Sequence, residues 1–401
     1  MNSPLFVSLL RLIGAQVCVH ACMTGIRMAA PLMALREGYG AVAVGVLLAL
    51  FALSQVFLAL PAGRYAERHG LHRPMRLAAA VATPGALLAV VWPVFGVLCV
   101  TALTCGAAAC VAMIALQRHV GLMANGPSEL RQVFSWLALG PSVSSFLGPL
   151  LAGMLIDASG FRAAYLLMAL LPPLALWWMR PVAELPGHGQ PAGDRRRSSW
   201  DLLRGKSFRD LMLLNWMMAS CWDVHTFLVP VIGHERSLSA TVIGTILGAF
   251  ALAATAIRLL MPWVAARLRE ATVIGAAMLA TAILFGLYPL ASGPWLMGLL
   301  SVLLGFALGS VQPMIMSTLH QITPRERHGE ALGMRSMAIN GSSVVMPLLF
   351  GSVGAVVGVG AVFWCVGAVV GLGSRLAWRL PHATTEPSPV TAPPQNGGGD
   401  A

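Results

Sequence analysis

Between residues 5 and 380 the chain is a succession of long apolar runs broken by short polar ones. That pattern constrains the fold more than any other feature. A helix needs about 20 mostly apolar residues to cross a hydrocarbon core roughly 30 Å thick. Twelve segments qualify: 5–32, 40–63, 74–93, 95–117, 132–156, 162–180, 208–232, 239–265, 272–291, 295–319, 330–354 and 356–380. Composition excludes a water-soluble fold. The 401 residues are 57% hydrophobic and 10% charged, whereas a soluble domain is roughly a quarter charged. So few polar residues cannot cover a wet surface. The ten-residue alternating segments of a membrane barrel are absent. The sequence therefore predicts an all-α integral membrane protein with 12 transmembrane helices.

Basic residues set the orientation. Of 26 Lys and Arg, three (Arg36, Arg162, Arg236) fall on one side and two (Arg27, Arg258) lie within spans. The rest fall on the other side, which positive-inside statistics make cytoplasmic, with both termini there. The formal net charge of +11 marks that face. It is spread over short loops and does not form a nucleic-acid surface. No basic region precedes the first apolar stretch, so a cleaved signal is not expected. One Lys among the 26 points to a GC-rich bacterial genome, hence a multi-pass protein of the inner cell membrane. The seven Cys all fall in spans without a CxxC pair and read as small core residues. The lone Lys sits in RGKS at 204–207, but Trp200 stands where a phosphate loop needs its first Gly. ATP binding is rejected on that ground. No constellation argues for covalent chemistry, a metal or a cofactor, so no enzyme is expected.

The chain divides in two. Residues 181–207, rich in Pro and Gly with a basic run, read as a cytoplasmic linker between six spans (1–180) and six more (208–380). The tail 381–401 reads as disordered. PLLAG at 149–153 recurs as PLLFG at 347–351, 198 residues later, and LPAGRYAER at 60–68 finds MPWVAARLR at 261–269. Matches at nearly one offset argue for a duplicated, pseudo-symmetric six-helix unit. Parallel repeats of this kind build transporters whose site lies between the halves.

Twelve spans in two halves with a long central loop resemble the major facilitator superfamily. Between spans 2 and 3 that family carries G-x-x-x-D-R-x-G-R/K-R/K. Here stand Gly63, Glu67, Arg68 and Gly70, then Leu71 and His72 in place of two bases, with Arg73 next. Gly63 and Gly70 permit a tight turn. Arg68 and Arg73 anchor it on the cytoplasmic side, and Glu67 suits the positive end of a neighbouring helix. The resemblance implies that this helix is span 11 and that the contact latches the halves on the cytoplasmic side, with Arg118 a second partner for Glu67. A generic positive-inside turn is the alternative. On span 5, Gly140, Gly148, Pro149 and Gly153, followed by Asp157, Gly160, Phe161, Arg162 and Tyr165, look like the family's antiporter motif and imply export; ordinary Gly packing is the alternative.

In this family's fold, spans 1, 4, 7 and 10 are expected to line the cavity. Span 1 offers one polar stripe of Gln16, His20, Thr24 and Arg27. Span 7 offers Asn215, Trp222, Asp223 and Thr226, span 10 offers Ser301 and Gln312, and span 4 offers Thr101 and Thr104. Asp223 is the only acid deep in a span. An unpaired carboxylate there costs several kcal/mol, so it is a functional candidate. Two readings stand: Asp223 exchanges a proton for a salt bridge to Arg27 that closes the outer side, or the pair is a static orienting contact. His20 and His225 read as hydrogen-bonded lining groups. Arg258 either snorkels to the interface or binds an anion.

The resulting expectation is a monomeric secondary active transporter working by alternating access. It moves a small organic molecule outward, with protons as coupling ion and without ATP. One alternative is an importer or facilitator of a small organic anion, with Arg27 and Arg258 as ligands. Another is a non-transporting membrane receptor or scaffold.

Overall fold

A computed structural model describes residues 3–123, 133, 136–137, 139–185, 199–265, 269–323 and 328–378. Among the described residues are twelve long helices. They are α1 (Ser3–Arg36), α2 (Ala41–His69), α3 (His72–Val91), α4 (Phe95–Met123), α5 (Leu139–Ser159), α6 (Phe161–Met179), α7 (Lys206–Glu235), α8 (Ala240–Ala265), α9 (Glu270–Leu287), α10 (Pro294–Ile322), α11 (His328–Val357) and α12 (Val359–Ala377). Eleven are long and apolar enough to cross a membrane. The exception is α7. It is 30 residues long, but Asn215, Asp223 and His225 lower its hydropathy, and all three are buried against other helices rather than turned outward. The outward faces carry exposed Phe57, Leu170, Ile283 and Leu372, as a lipid-facing surface does.

Helix α1 packs on α4, α5 and α6; α2 packs on α4; α3 packs on α4 and α6. The same pattern recurs six helices on: α7 packs on α10, α11 and α12, α8 on α10, and α9 on α10 and α12. Between the two sets the main contacts are α5 with α8, α2 with α11, and α1 with α7, and α2 also touches α7. These contacts form a seam. We call the end of the molecule bearing the α2–α3 turn the linker end, and the opposite end, bearing the α1–α2 and α7–α8 connections, the far end.

One expectation is corrected here. The charged stretch 61–74 reads as a loop pivoting on Gly63 and Gly70, but α2 continues to His69. Gly63 is an ordinary helical residue with open space about it. Ala, Glu and Arg are good helix formers, so the helix outlasts the apolar run. Only Gly70, at φ 73° and ψ −141°, takes a positive-φ conformation open to glycine, and it ends the helix. The interval between the sets also has order: residues 199–204 form a 3-10 turn, and Val182 is buried. Residues 186–198 and the tail 381–401 lie outside the described residues.

Candidate functional site

Asp223 sits midway along α7 and is 3% exposed. Ser342 and Ser343 of α11 donate to its carboxylate at 3.2 and 3.1 Å. From across the seam, Arg27 of α1 approaches to 3.7 Å. That is an ion pair beyond hydrogen-bonding length, and the Nε and Nη2 atoms of Arg27 are buried with no hydrogen-bond partner. In the first set of helices Thr24 donates to the Ser144 carbonyl at 2.9 Å. Thr24 stands 199 residues before Asp223, and Ser144 stands 198 before Ser342, the offset that also relates Pro149 to Pro347. The two α-helix pairs are thus alike in geometry, but one carries a hydroxyl where the other carries an acid. The serines holding Asp223 were not singled out from sequence; the near-repeat of the α5 serines in α11 is the signal that points to them.

Two cavities open along the seam. The larger, about 600 Å³, lies toward the linker end and includes Gln16, Gln117, Trp222, Arg258 and Arg335 in its wall. The smaller, about 90 Å³, lies toward the far end and is bordered by Thr24, Arg27, Trp222 and Thr226. Trp222, Ser145 and Ala251 border both. The Arg258 guanidinium stacks over the Trp222 ring, 5.5 Å from the centroid, within cation–π range. Arg27 and Arg258, the two expected anion ligands, border different, adjoining cavities. The residue that does share the cavity with Arg258 is Arg335, which sequence alone assigns to the basic cytoplasmic face.

Other expected lining residues lie elsewhere. Asn215 is fully buried, with both amide atoms unpartnered, and borders neither cavity. Gln312 stands one layer back, accepting a hydrogen bond from Arg335. His20 bonds Ser144 at 2.6 Å and borders only a narrow crevice with Gln16. Thr101 turns away from the seam to donate to the Gly85 carbonyl of α3 at 2.7 Å, and Thr104 bonds its own helix. At the cavity, α4 instead presents Met113 and Gln117. His225 and Ser301 face inward to their own set. His225 meets Ser301 at 2.9 Å, Ser301 meets Tyr288 at 2.9 Å, and the imidazole stacks on Phe250. His225, two positions on from Asp223 and so about 200° round the same helix, belongs to a different interface.

The far end is closed by small residues. A methyl group added at Gly153 would strike the Ala240 carbonyl, and one at Gly244 would strike the Pro149 carbonyl. The α2–α11 contact repeats this: Gly45 lies against the Pro347 carbonyl and Gly351 against that of Ala41. The antiporter-like residues thus sit at a helix crossing, with Gly148 against Thr24 and Gly140 against Gln16. One contact has no counterpart. Asp157 caps α8 across the seam, accepting from Ala240 N at 3.0 Å and Thr241 N at 2.6 Å, with Arg36 at 3.9 Å; the corresponding position in α11 is Ala355.

At the linker end, the turn after α2 is held from within its own set. The Glu184 carboxylate accepts from the backbone N–H of Leu71 and of His72, and His72 Nε2 meets the Val182 carbonyl at 2.8 Å. This caps the positive end of α3. The side chain of Glu67, the acid of the expected latch, lies outside what is described, as does Arg267. Arg68 and Arg73 are exposed, and Arg118 has a buried Nη1 without a hydrogen-bond partner.

The sequence matches the model of the Major Facilitator Superfamily over residues 12–232 and 211–398. No curated protein matches it by sequence. Many solved structures share the fold. Nucleoside transporter NupG, as a mutant, aligns with a TM-score of 0.77 at 12% identity, over 93% of this chain and 99% of that one. A POT family transporter in complex with a thioalcohol-conjugated peptide aligns at 0.75 and 14%, over 92% and 95%. The human organic anion transporter MFSD10 aligns at 0.65 and 17%, over 94% and 100%.

Proposed function

This chain belongs to the major facilitator superfamily, a multi-pass membrane transporter rather than an enzyme, and on that premise we propose that it exports a small organic molecule in exchange for protons. In this reading α7 is the twelfth span. Residues 1–180 and 208–380 are the rocking bodies, both termini and the linker are cytoplasmic, and the protein works as a monomer in the inner cell membrane. The larger cavity is the cargo site, loaded from the cytoplasm while the far end is shut.

The observation that carries the proposal is the Arg27–Asp223 contact, 3.7 Å across the seam. Asp223 exchanges a proton for this partner. With the far end closed the pair forms and the proton leaves toward the cytoplasm. With the far end open the residues separate, and Asp223, now facing the outer medium, takes up a proton. A pair serving only to orient helices is stable when its geometry is close and its donors are satisfied. The loose distance and the two unpartnered Arg27 nitrogens favour a contact that is made and broken. The antiporter-like packing of Gly148, Pro149 and Gly153 supports export, and the basic stretch Arg64–Arg73 supports the cytoplasmic placement of the linker end. Glu67 remains the proposed latch toward α11.

The test is flux in proteoliposomes under an imposed pH gradient. Asp223→Asn is expected to fold and to lose gradient-driven transport. Undiminished coupling in that variant overturns the proposal.

A further inference from the structure

Among the described residues the larger cavity is lined by cationic groups and by no acid. Arg258 from α8 and Arg335 from α11 both border it, and no Asp or Glu stands among its lining residues. Among the described residues neither guanidinium has a carboxylate within ion-pair distance, and the Nε atom of each is buried without a hydrogen-bond partner. The nearest buried acid of the seam, Asp223, is engaged by Ser342, Ser343 and Arg27 beside the other cavity. An arginine keeps its charge, and a charge buried in a seam between membrane helices is costly unless it is paired. Two such residues in one cavity also repel each other. A ligand bearing a negative group removes both penalties; a cationic ligand adds a third charge of the same sign.

We infer that the cargo of this cavity is a soluble organic anion, whose carboxylate, sulfonate or phosphate is gripped by Arg258 and Arg335. The planar guanidinium matches such groups through two parallel hydrogen bonds. Trp222, already under Arg258, together with Met113 and Leu137 supplies an apolar wall for the body of the molecule. About 600 Å³ is within the range of pockets that enclose drug-sized ligands. Gln312, bonded to Arg335, positions that side chain from behind. The inference rests on reading the cavity as the cargo site and names its substrate class. It is also consistent with export: a monoanion leaving and a proton entering both move positive charge inward, so an inside-negative potential drives both.

The test uses the full chain in neutral detergent and three probes of one shape: 2-naphthoate, 2-naphthamide and 2-naphthylmethylammonium. The account expects saturable thermal stabilisation by naphthoate, weakened by salt, and little or none by the amide or the ammonium. In Arg258→Gln and Arg335→Gln the apparent Kd rises on the order of tenfold or more, while Arg375→Gln, at an exposed surface position, binds as wild type. Should a glutamine variant fail to fold, the wild-type ranking of the probes decides alone. An equal or greater shift with the ammonium probe overturns the inference, as does no shift with naphthoate. Stabilisation by phosphatidylglycerol but not by naphthoate assigns the arginines to a lipid headgroup and overturns it too. Flux separates the two claims. Naphthoate that binds but is not moved by a pH gradient in proteoliposomes counts against the transport reading, whereas pH-driven movement of a cation with no anion binding counts against the substrate class alone.

Discussion

Asp157 accepts a hydrogen bond from the backbone N–H of Thr241 at 2.6 Å, joining the end of α5 to the start of α8 across the seam. A carboxylate on the N-terminus of a helix satisfies donors that otherwise have no partner and meets the positive end of the helix dipole. Parting the two sets of helices at the far end would break this bond. Asp157→Ala is expected to cost the closed form about 1 kcal/mol, roughly a fivefold shift in population. A maleimide reacting at an introduced Thr241→Cys reads this as faster labelling in the variant. Arg36, half exposed at 3.9 Å, adds little, and Arg36→Gln should leave the rate nearly unchanged.

Glycine spacing at the far end sets how closely the two sets approach. Gly244→Ala and Gly45→Ala each place a methyl group on a backbone carbonyl that cannot swing aside. Each is expected to destabilise the closed far end by about 1–3 kcal/mol, the usual penalty for overpacking. Because the two crossings are equivalent by repeat, the two variants should resemble each other in cross-linking across the far end. A large effect of one with none of the other contradicts the symmetric seal.

Glu184 acts on stability alone. Glu184→Ala removes the cap on α3 and should lower the stability of the purified protein by about 1 kcal/mol, read as a lower Tm. Flux, normalised to folded protein, should be unchanged, since this contact stays within one set of helices.

His225 tests which titratable group couples to protons. It is enclosed with Ser301 and Tyr288 and borders neither cavity, Phe250 standing between it and the smaller one. His225→Leu should lower stability by about 1–3 kcal/mol through the hydrogen bond lost by Ser301. The pH profile of transport should keep its shape; a changed profile assigns the imidazole a coupling role.

The helices were legible because lipid imposes one length and one polarity on every span. The exception is α7: a helix shielded by its neighbours is free to carry Asn215, Asp223 and His225, so hydropathy is weakest where buried polar side chains concentrate. Arg27 and Asp223 were readable as partners because intramembrane charge is rare and costly. Thr101, His225 and Ser301 were misplaced because polarity marks a side chain that needs a partner, and a carbonyl of the next helix serves as well as a cavity. Arg335 was hidden for the opposite reason. Near a helix end, an arginine bordering a cavity and one reaching the membrane surface look the same in sequence.

The central claim is that the Asp223–Arg27 contact governs the far end. Spin labels on Glu37→Cys and Glu235→Cys, both exposed there, measure that end directly by pulsed EPR, with the exposed native thiol of Cys365 replaced. The account predicts that lowering the pH lengthens the distance in otherwise wild-type protein. It predicts that Asp223→Asn shows the long distance at every pH. A distance that responds to pH equally well without the Asp223 carboxylate contradicts it.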